Sequence, residues 1–168
     1  MWANAWKGKR FVIVASKFNR DVTRALARGA ATALNDAGVS ARQVRTVWVP
    51  GAFELPAAAS RLAARRPQPD AIIAIGAIIK GQTPQYEALS HAVAQGLASL
   101  SVSRALPVTF GVVVANSVAQ AKARAGLPAP RGAYRRKAKQ AGEARGNRGA
   151  EAALAALEMV RLFDAKTQ

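Results

Sequence analysis

The run AIIAIGAII at residues 71–79 decides the fold class of this chain. A strand with one solvated face alternates apolar and polar residues. This run is apolar throughout, which is typical of a strand covered on both faces in a parallel sheet. Three further runs rich in β-branched residues have the length of strands: Phe11–Ala15, Arg45–Val49 and Pro107–Ala115. The sequence therefore predicts a parallel sheet of four strands.

Segments with the apolar period of a helix separate and follow these strands. They are Asp21–Ala37, Glu54–Arg66, Pro84–Arg104, Ser117–Ala125 and Ala150–Phe163. This order predicts an α/β fold: a three-layer αβα sandwich around a four-stranded parallel sheet, with flavodoxin-like topology. The length suits one domain over residues 1–168, and no internal repeat indicates a second one.

The composition excludes several classes of protein. The chain has no cysteine, which excludes disulfides and thiolate chemistry, and it is too apolar, at 51%, for a disordered protein. No apolar run is long enough to span a bilayer, and the first ten residues lack the apolar core of a secretory signal. We therefore expect a cytoplasmic protein with no membrane partner.

The net charge of +16 indicates an anionic substrate, a polyanionic partner or a solubilising surface. Seven lysines and arginines but only one acid, Glu143, lie from Arg131 to Arg148, among several glycines and just after Pro128 and Pro130. Such a stretch buries little apolar surface. We interpret residues 127–145, approximately, as a basic insertion that forms a long exposed loop or a short, loosely held helix.

Ligands of open parallel sheets bind beyond the C-terminal ends of the strands. The segments at those ends are Ser16–Arg20, Pro50–Glu54, Lys80–Gln85 and Asn116. In the first, the ring of Phe18 could stack on a flat ligand or could merely close the end of the sheet.

Two further features of these segments have alternative interpretations. Glu54 could contact a ligand that approaches Gly51, or it could be the acid that a helix start favours. The backbone N–H groups of Gln82 and Thr83 could hold a phosphate, or they could belong to an ordinary strand-to-helix turn. Arg124 could close over that phosphate, or it could be a solvated surface charge.

Five blocks of sequence, in this order, resemble the lumazine synthase family: FVIVASKFN, VPGAFELP, AIIAIGAIIKGQTP, PVTFGVVVAN and GNRGAEAALAALEM. The resemblance covers roughly Phe11 to Phe163, interrupted from Leu127 to Arg145. It implies a transferase of riboflavin biosynthesis that needs no metal and no cofactor. The family condenses 5-amino-6-ribitylaminouracil with 3,4-dihydroxy-2-butanone 4-phosphate, and the products are 6,7-dimethyl-8-ribityllumazine, phosphate and water.

The resemblance also implies roles for the residues at the strand ends. Phe18 would stack on the pyrimidine ring, and Ala52 and Glu54 would hold the ribityl chain. The backbone of Ile78 and Ile79 would bind the edge of the ring. Since the family's sites lie between neighbouring subunits of a homopentamer, an isolated monomer would be inactive.

The resemblance places the phosphate at the turn after the third strand. The backbone of Gln82 and Thr83 would bind it, and Arg124 would complete the site. Glu151 would pair with Arg124 and orient it, while Phe110 would line the site from the adjacent subunit.

The sequence departs from the family at a catalytic position. Gln85 stands where the family usually has a histidine, and Arg148 stands where lysine is common. A neutral amide can hydrogen-bond but cannot shuttle a proton near pH 7. His91 follows on the same helix, roughly 240° round from Gln85 at about 100° per residue, and does not replace it. We predict a slow enzyme, because positioned substrates can still react.

The basic insertion is the second departure. A longer, like-charged linker should hinder the closure of twelve pentamers into an icosahedral, 60-subunit capsid, so a pentamer is the favoured prediction and the shell the alternative. The insertion could bind nucleic acid through counterion release, but Tyr134 is its lone aromatic residue, and this prediction is not favoured.

Two other functions remain as alternatives. One is a catalytically impaired relative that binds pyrimidines or flavins, or that only forms shells. The other is a flavodoxin-like electron carrier, which fits poorly because such carriers are usually acidic and have a Ser/Thr-rich loop where this chain has SKFNRD.

Overall fold

The computed structural model describes residues 5–128 and 146–165. Its strands are β1 (Phe11–Ser16), β2 (Val44–Val49), β3 (Ala71–Ile79) and β4 (Val108–Ala115). Its helices are α1 (Arg20–Asp36), α2 (Leu55–Ala63), α3 (Gln85–Arg104), α4 (Val118–Arg124) and α5 (Arg148–Asp164). A short 3₁₀ helix, Ala41–Gln43, precedes β2. The bounds of the predicted elements therefore differ from the observed ones by a few residues at most.

The four strands are parallel and lie in the order β2-β1-β3-β4. This is the order of the flavodoxin-like fold, so the predicted fold class is confirmed. Phe11 of β1 is opposite Val44 of β2 on one side and opposite Ala71 of β3 on the other. Successive strands are added to one side of β1 (β2) and then to its other side (β3 and β4). The ends of β1 and β3 therefore border the crevice where such sheets bind ligands.

Both faces of the sheet are covered, which explains the continuous apolar run of β3. Successive side chains of a strand point to opposite faces. Ile73 and Ile75 therefore pack in a core with α1, α4 and α5, whereas Ile72 and Ala74 pack in a second core with α2 and α3. The sheet is the middle layer of three, and its strand ends hold the loops that form the candidate site.

Asn147 joins the start of α5 to α1 and to the end of α4. Its Oδ1 accepts hydrogen bonds from the backbone N–H groups of Gly149 (2.9 Å) and Ala150 (3.1 Å). Its Nδ2 donates to the carbonyl oxygens of Ala25 (3.1 Å) and Ala125 (2.9 Å). One side chain thus caps a helix and satisfies two carbonyls of neighbouring elements.

Replacing Asn147 with alanine is expected to lower the free energy of unfolding by about 2–3 kcal/mol, because the helix cap and both carbonyl contacts are lost together. Urea unfolding at fixed protein concentration, followed by circular dichroism, measures this change. Asn116→Ala, at an exposed position, is the matched control and should stay within about 0.5 kcal/mol of the parent. Equal stability of the two variants would contradict this role of Asn147.

The predicted basic insertion lies outside the described residues, apart from Leu127 and Pro128. Across residues 5–128 and 146–165, no helix has both the length and the apolar character needed to cross a membrane.

Candidate active site

A cleft of about 340 Å³ lies at the C-terminal ends of β1, β2 and β3, beside the first turns of α3. Many of the residues predicted from the sequence line it together: Phe18, Ala52, Glu54, Ile78, Ile79, Thr83 and Gln85. They come from three separate segments of the chain. The parallel sheet brings them together because it aligns the ends of its strands.

The turn between β1 and α1 presents Phe18 to the cleft. The backbone N–H of Phe18 donates to the carbonyl of Pro50 (3.1 Å), which ties this turn to the segment after β2. Asn19 follows in the left-handed conformation (φ 56°), and its Nδ2 donates to the carbonyl of Ala77 at 2.9 Å. The turn is therefore fixed to both neighbouring strands, while the ring of Phe18 stays 70% exposed.

A second exposed aromatic ring faces the same cleft. Phe53 lines it and is 64% exposed, although it follows the buried Ala52. Sequence reasoning missed Phe53 as a site residue, as it missed Asn19. The sequence did contain a signal for Phe53, because it is an aromatic residue in a glycine-containing loop at the end of a strand. Two largely exposed rings at one cleft favour a flat ligand or cover from another chain.

Gly51 fixes the carboxylate of Glu54. The backbone N–H of Gly51 donates to Oε2 of Glu54 at 2.8 Å. A Cβ atom at position 51 would lie 3.0 Å from the same oxygen, so a larger residue would displace the carboxylate. Glu54 immediately precedes α2, where the helix dipole favours a negative charge. The carboxylate is thereby held in the cleft, where it can accept hydrogen bonds from hydroxyl groups of a ligand.

The turn between β3 and α3 has the geometry of an anion site. The N–H of Lys80 donates to the carbonyl of Ala115 (2.9 Å) and anchors the beginning of the turn. Pro84 is the N-cap of α3, and Gln82 and Thr83 before it are exposed. In the described part of the chain the N–H groups of Gln82 and Thr83 have no hydrogen-bond acceptor. Free amides at a helix N-terminus favour a bound anion such as phosphate.

Tyr86 is the most informative residue that sequence reasoning missed. It lines the cleft, and its hydroxyl donates to Oε1 of Glu87 at 2.8 Å. The Nζ atom of Lys80 lies 5.6 Å from the centre of its ring. The hydrogen bond to Glu87, with a smaller contribution from burial, raises the pKa of the Tyr86 hydroxyl above its ordinary value. Tyr86 directly follows Gln85, and this position in the first turn of α3 was the signal available from the sequence.

The other predicted residues lie away from this cleft within one chain. Arg124 ends α4 and Arg148 begins α5, and an antiparallel bridge between Ala125 and Asn147 brings the two arginines opposite each other. Phe110 is half-buried in β4 against the core on the α2 and α3 face. None of these three residues lines the cleft, and neither does Gln82.

Glu151 has a different partner from the predicted one. Its Oε2 accepts from a guanidinium nitrogen of Arg148 at 2.8 Å, one turn earlier on α5. The predicted pair with Arg124 is not formed within the described part of a single chain. The reason is geometric: positions three apart on a helix are neighbours, so Arg148 reaches Glu151 first.

The charged side chains that line the cleft limit what it can offer to a phosphorylated ligand. Among the described residues that line it, Glu54 is the acid and there is no lysine or arginine. A phosphorylated ligand bound at the turn before α3 would need a nearby cation to offset its charge. Lys80 lies over the ring of Tyr86, which lines the cleft, whereas Arg124 and Arg148 do not line it.

One family profile and several known proteins of the same name are similar to this chain over most of its length. The family profile of 6,7-dimethyl-8-ribityllumazine synthase matches residues 8–164. The chain is 42% identical over 158 residues to 6,7-dimethyl-8-ribityllumazine synthase of Gemmatimonas aurantiaca, covering 94% of this chain and 86% of that protein. It is 41% identical over 159 residues to the protein of the same name from Thermus thermophilus, covering 95% of this chain and 90% of that one.

Proposed function

Since the chain belongs to the 6,7-dimethyl-8-ribityllumazine synthase family, we propose that it makes 6,7-dimethyl-8-ribityllumazine in riboflavin biosynthesis. The substrates are 5-amino-6-ribitylaminouracil and 3,4-dihydroxy-2-butanone 4-phosphate. The observation that carries this proposal is the cleft itself. At one sheet end it combines an exposed aromatic ring, a fixed carboxylate and a turn with free amides.

Each part of the cleft suits one part of the two substrates. The exposed ring of Phe18 stacks on the pyrimidine, and the carboxylate of Glu54, beside Ala52, accepts hydrogen bonds from the ribityl hydroxyls. The backbone of Ile78 and Ile79 binds the polar edge of the pyrimidine.

The phosphate of the second substrate binds the free amides of Gln82 and Thr83 at the start of α3. This places the carbon chain of the ketone next to the first turn of that helix, beside Gln85. The amine of the pyrimidine is itself the nucleophile, so the cleft accelerates the reaction mainly by holding both substrates in a reactive arrangement.

The site is completed by a neighbouring subunit of a homopentamer. That subunit supplies Arg124, with Arg148 beside it, and the ring of Phe110. Two observations support this arrangement: the cleft has no lining lysine or arginine in the described part of its own chain, and Arg124 and Arg148 are both exposed. Closure of pentamers into a 60-subunit shell is not required for such a site, because neighbours within one pentamer suffice.

Gln85 makes the enzyme slow. It lines the cleft at the start of α3 but has no proton to exchange near neutral pH. Replacing Gln85 with histidine is expected to raise kcat by about tenfold or more, because a general acid–base group then stands beside the ketone carbons. Steady-state assays with both substrates measure this change through the absorbance and fluorescence of the lumazine.

The matched control is Gln95→His, an identical substitution at an exposed position of the same helix, which should leave kcat unchanged. No product from either the parent or the Gln85→His variant would overturn the proposed activity. If the protein then still bound the pyrimidine, the alternative of a catalytically impaired relative that binds pyrimidines or flavins would replace it.

A further inference from the structure

The cleft contains two titratable side chains among its described lining residues, Glu54 and Tyr86. Glu54 already accepts a hydrogen bond from Gly51 and immediately precedes α2. Tyr86 is on α3, beside the turn with the free amides. The group that can exchange a proton near a bound phosphorylated ketone is therefore Tyr86.

Tyr86 does not act alone in this geometry. Its hydroxyl is hydrogen-bonded at 2.8 Å to the carboxylate of Glu87, which can accept the hydroxyl proton. The cation of Lys80 lies 5.6 Å from the ring centre, within the range of a cation–π contact, and holds the ring beside the turn. His91 lies on α3 beyond Glu87, is exposed, and does not line the cleft.

We infer that Tyr86 and Glu87 form a proton relay that serves the condensation in place of a titratable group at position 85. The relay rests on the proposed function, because it needs the phosphorylated ketone to bind at the turn before α3. Tyr86 is the catalytic residue of the pair, since it lines the cleft and Glu87 does not. Glu87 is a positioning residue that acts through Tyr86.

The relay serves the step in which phosphate leaves. After the 5-amino group has formed an imine with the ketone carbonyl, the C3–H bond of the butanone breaks and its electron pair forms a C3=C4 double bond. The C4–O bond breaks, and phosphate leaves with the electron pair of the C4–O bond and takes up a proton from water. The C3 proton moves to the oxygen of Tyr86 while the hydroxyl proton of Tyr86 moves to the carboxylate of Glu87.

The same pair returns the proton in the next step. The enol formed at C3 becomes a ketone when C4 takes a proton from Tyr86, which regains its proton from Glu87. The enol hydroxyl releases its own proton to water. Tyr86 and Glu87 thus end in their starting protonation states, and the ketone at C3 is ready for ring closure by the second amine.

The test is a set of four variants assayed for kcat and KM. Tyr86→Phe removes the hydroxyl but keeps the ring beside Lys80, and Glu87→Gln removes the proton acceptor. Each is made in the parent and in the Gln85→His background. In the parent background we expect each to lower kcat on the order of 10²-fold, with little change in KM for the phosphorylated ketone.

In the Gln85→His background the same substitutions should lower kcat less than about threefold, because the histidine then carries the proton and the effects are non-additive. A purely structural role of Tyr86 would give equal losses in both backgrounds and would overturn the relay. A normal kcat for Tyr86→Phe or Glu87→Gln in the parent would overturn it as well.

His91→Gln is the control, and it should leave kcat unchanged because His91 is exposed and away from the cleft. If the parent makes no lumazine at all, the proposed function fails, and the relay fails with it. If the parent makes lumazine and either Tyr86→Phe or Glu87→Gln keeps its kcat, the relay alone fails. The two failures are therefore distinguishable.

Discussion

Replacing Gly149 with alanine is expected to lower the free energy of unfolding by about 3 kcal/mol or more, because the added methyl group would overlap the backbone of α1. A Cβ atom at this position would lie 2.0 Å from the carbonyl oxygen of Leu26 and 2.7 Å from its carbonyl carbon. Both are backbone atoms of α1, so no side chain can rotate away. The two helices would have to separate.

The contact between α1 and α5 is close on the α1 side as well, so separating the two helices would lower the stability of the fold. A Cβ atom on Gly29 of α1 would lie 2.3 Å from Cγ of Asn147, the residue that caps α5. Glycine is a poor helix former, and alanine would favour the helix by about 1 kcal/mol in the absence of the contact. The steric term opposes that preference and exceeds it, since the obstructing atoms are backbone.

Urea unfolding of Gly149→Ala at fixed protein concentration measures the effect. Gly81→Ala is the matched control, because a Cβ atom there has no neighbour within 4 Å, and it should be neutral or stabilising. A Gly149→Ala protein as stable as the control would show that α1 and α5 can move apart freely. The start of α5 would then not hold Arg148 in a fixed position.

The fold could be predicted from the sequence because its signals are local. The unbroken apolar run of β3 indicates a strand covered on both faces, and the structure places Ile72 and Ile73 in separate cores. The glycines and prolines between the runs mark the helix ends. The close contact at Gly149 could not be predicted in this way, because it depends on which helix packs against α5.

Part of the cleft could also be predicted from local signals in the sequence. Residues that follow a strand, such as Phe18 and Glu54, reach the cleft because all parallel strands end at one edge of the sheet. The partner of Glu151 and the hydrogen bond between Tyr86 and Glu87 depend on side-chain rotamers. Sequence spacing does not determine rotamers, so these contacts were found only in the structure.

Mixing two impaired variants is expected to restore part of the activity if the site is shared between subunits. Glu54→Ala removes the carboxylate of the cleft, and Arg124→Ala removes the cation that we propose the neighbouring subunit supplies. Each homogeneous variant should lose on the order of 10²-fold in kcat/KM, because a charge-assisted contact to the substrate is missing from every site.

When the two variants are unfolded and refolded together in equal amounts, about a quarter of the sites should combine an intact cleft with an intact Arg124 from the adjacent subunit. Activity should rise accordingly above the average of the separately refolded variants. The control mixes Glu54→Ala with Phe18→Ala. Both changes lie in the cleft of one chain. Every cleft in this mixture therefore lacks either the carboxylate or the ring, whichever subunits are neighbours.

Recovery in the first mixture and none in the second would require Arg124 to act on the cleft of another chain. That outcome agrees with the cleft's lack of a lining lysine or arginine in the described part of its own chain. Equal activity of the two mixtures would mean that Arg124 reaches the cleft of its own subunit or does not bind substrate. In that case Lys80, which lies over Tyr86, would be the cation next to the phosphate turn.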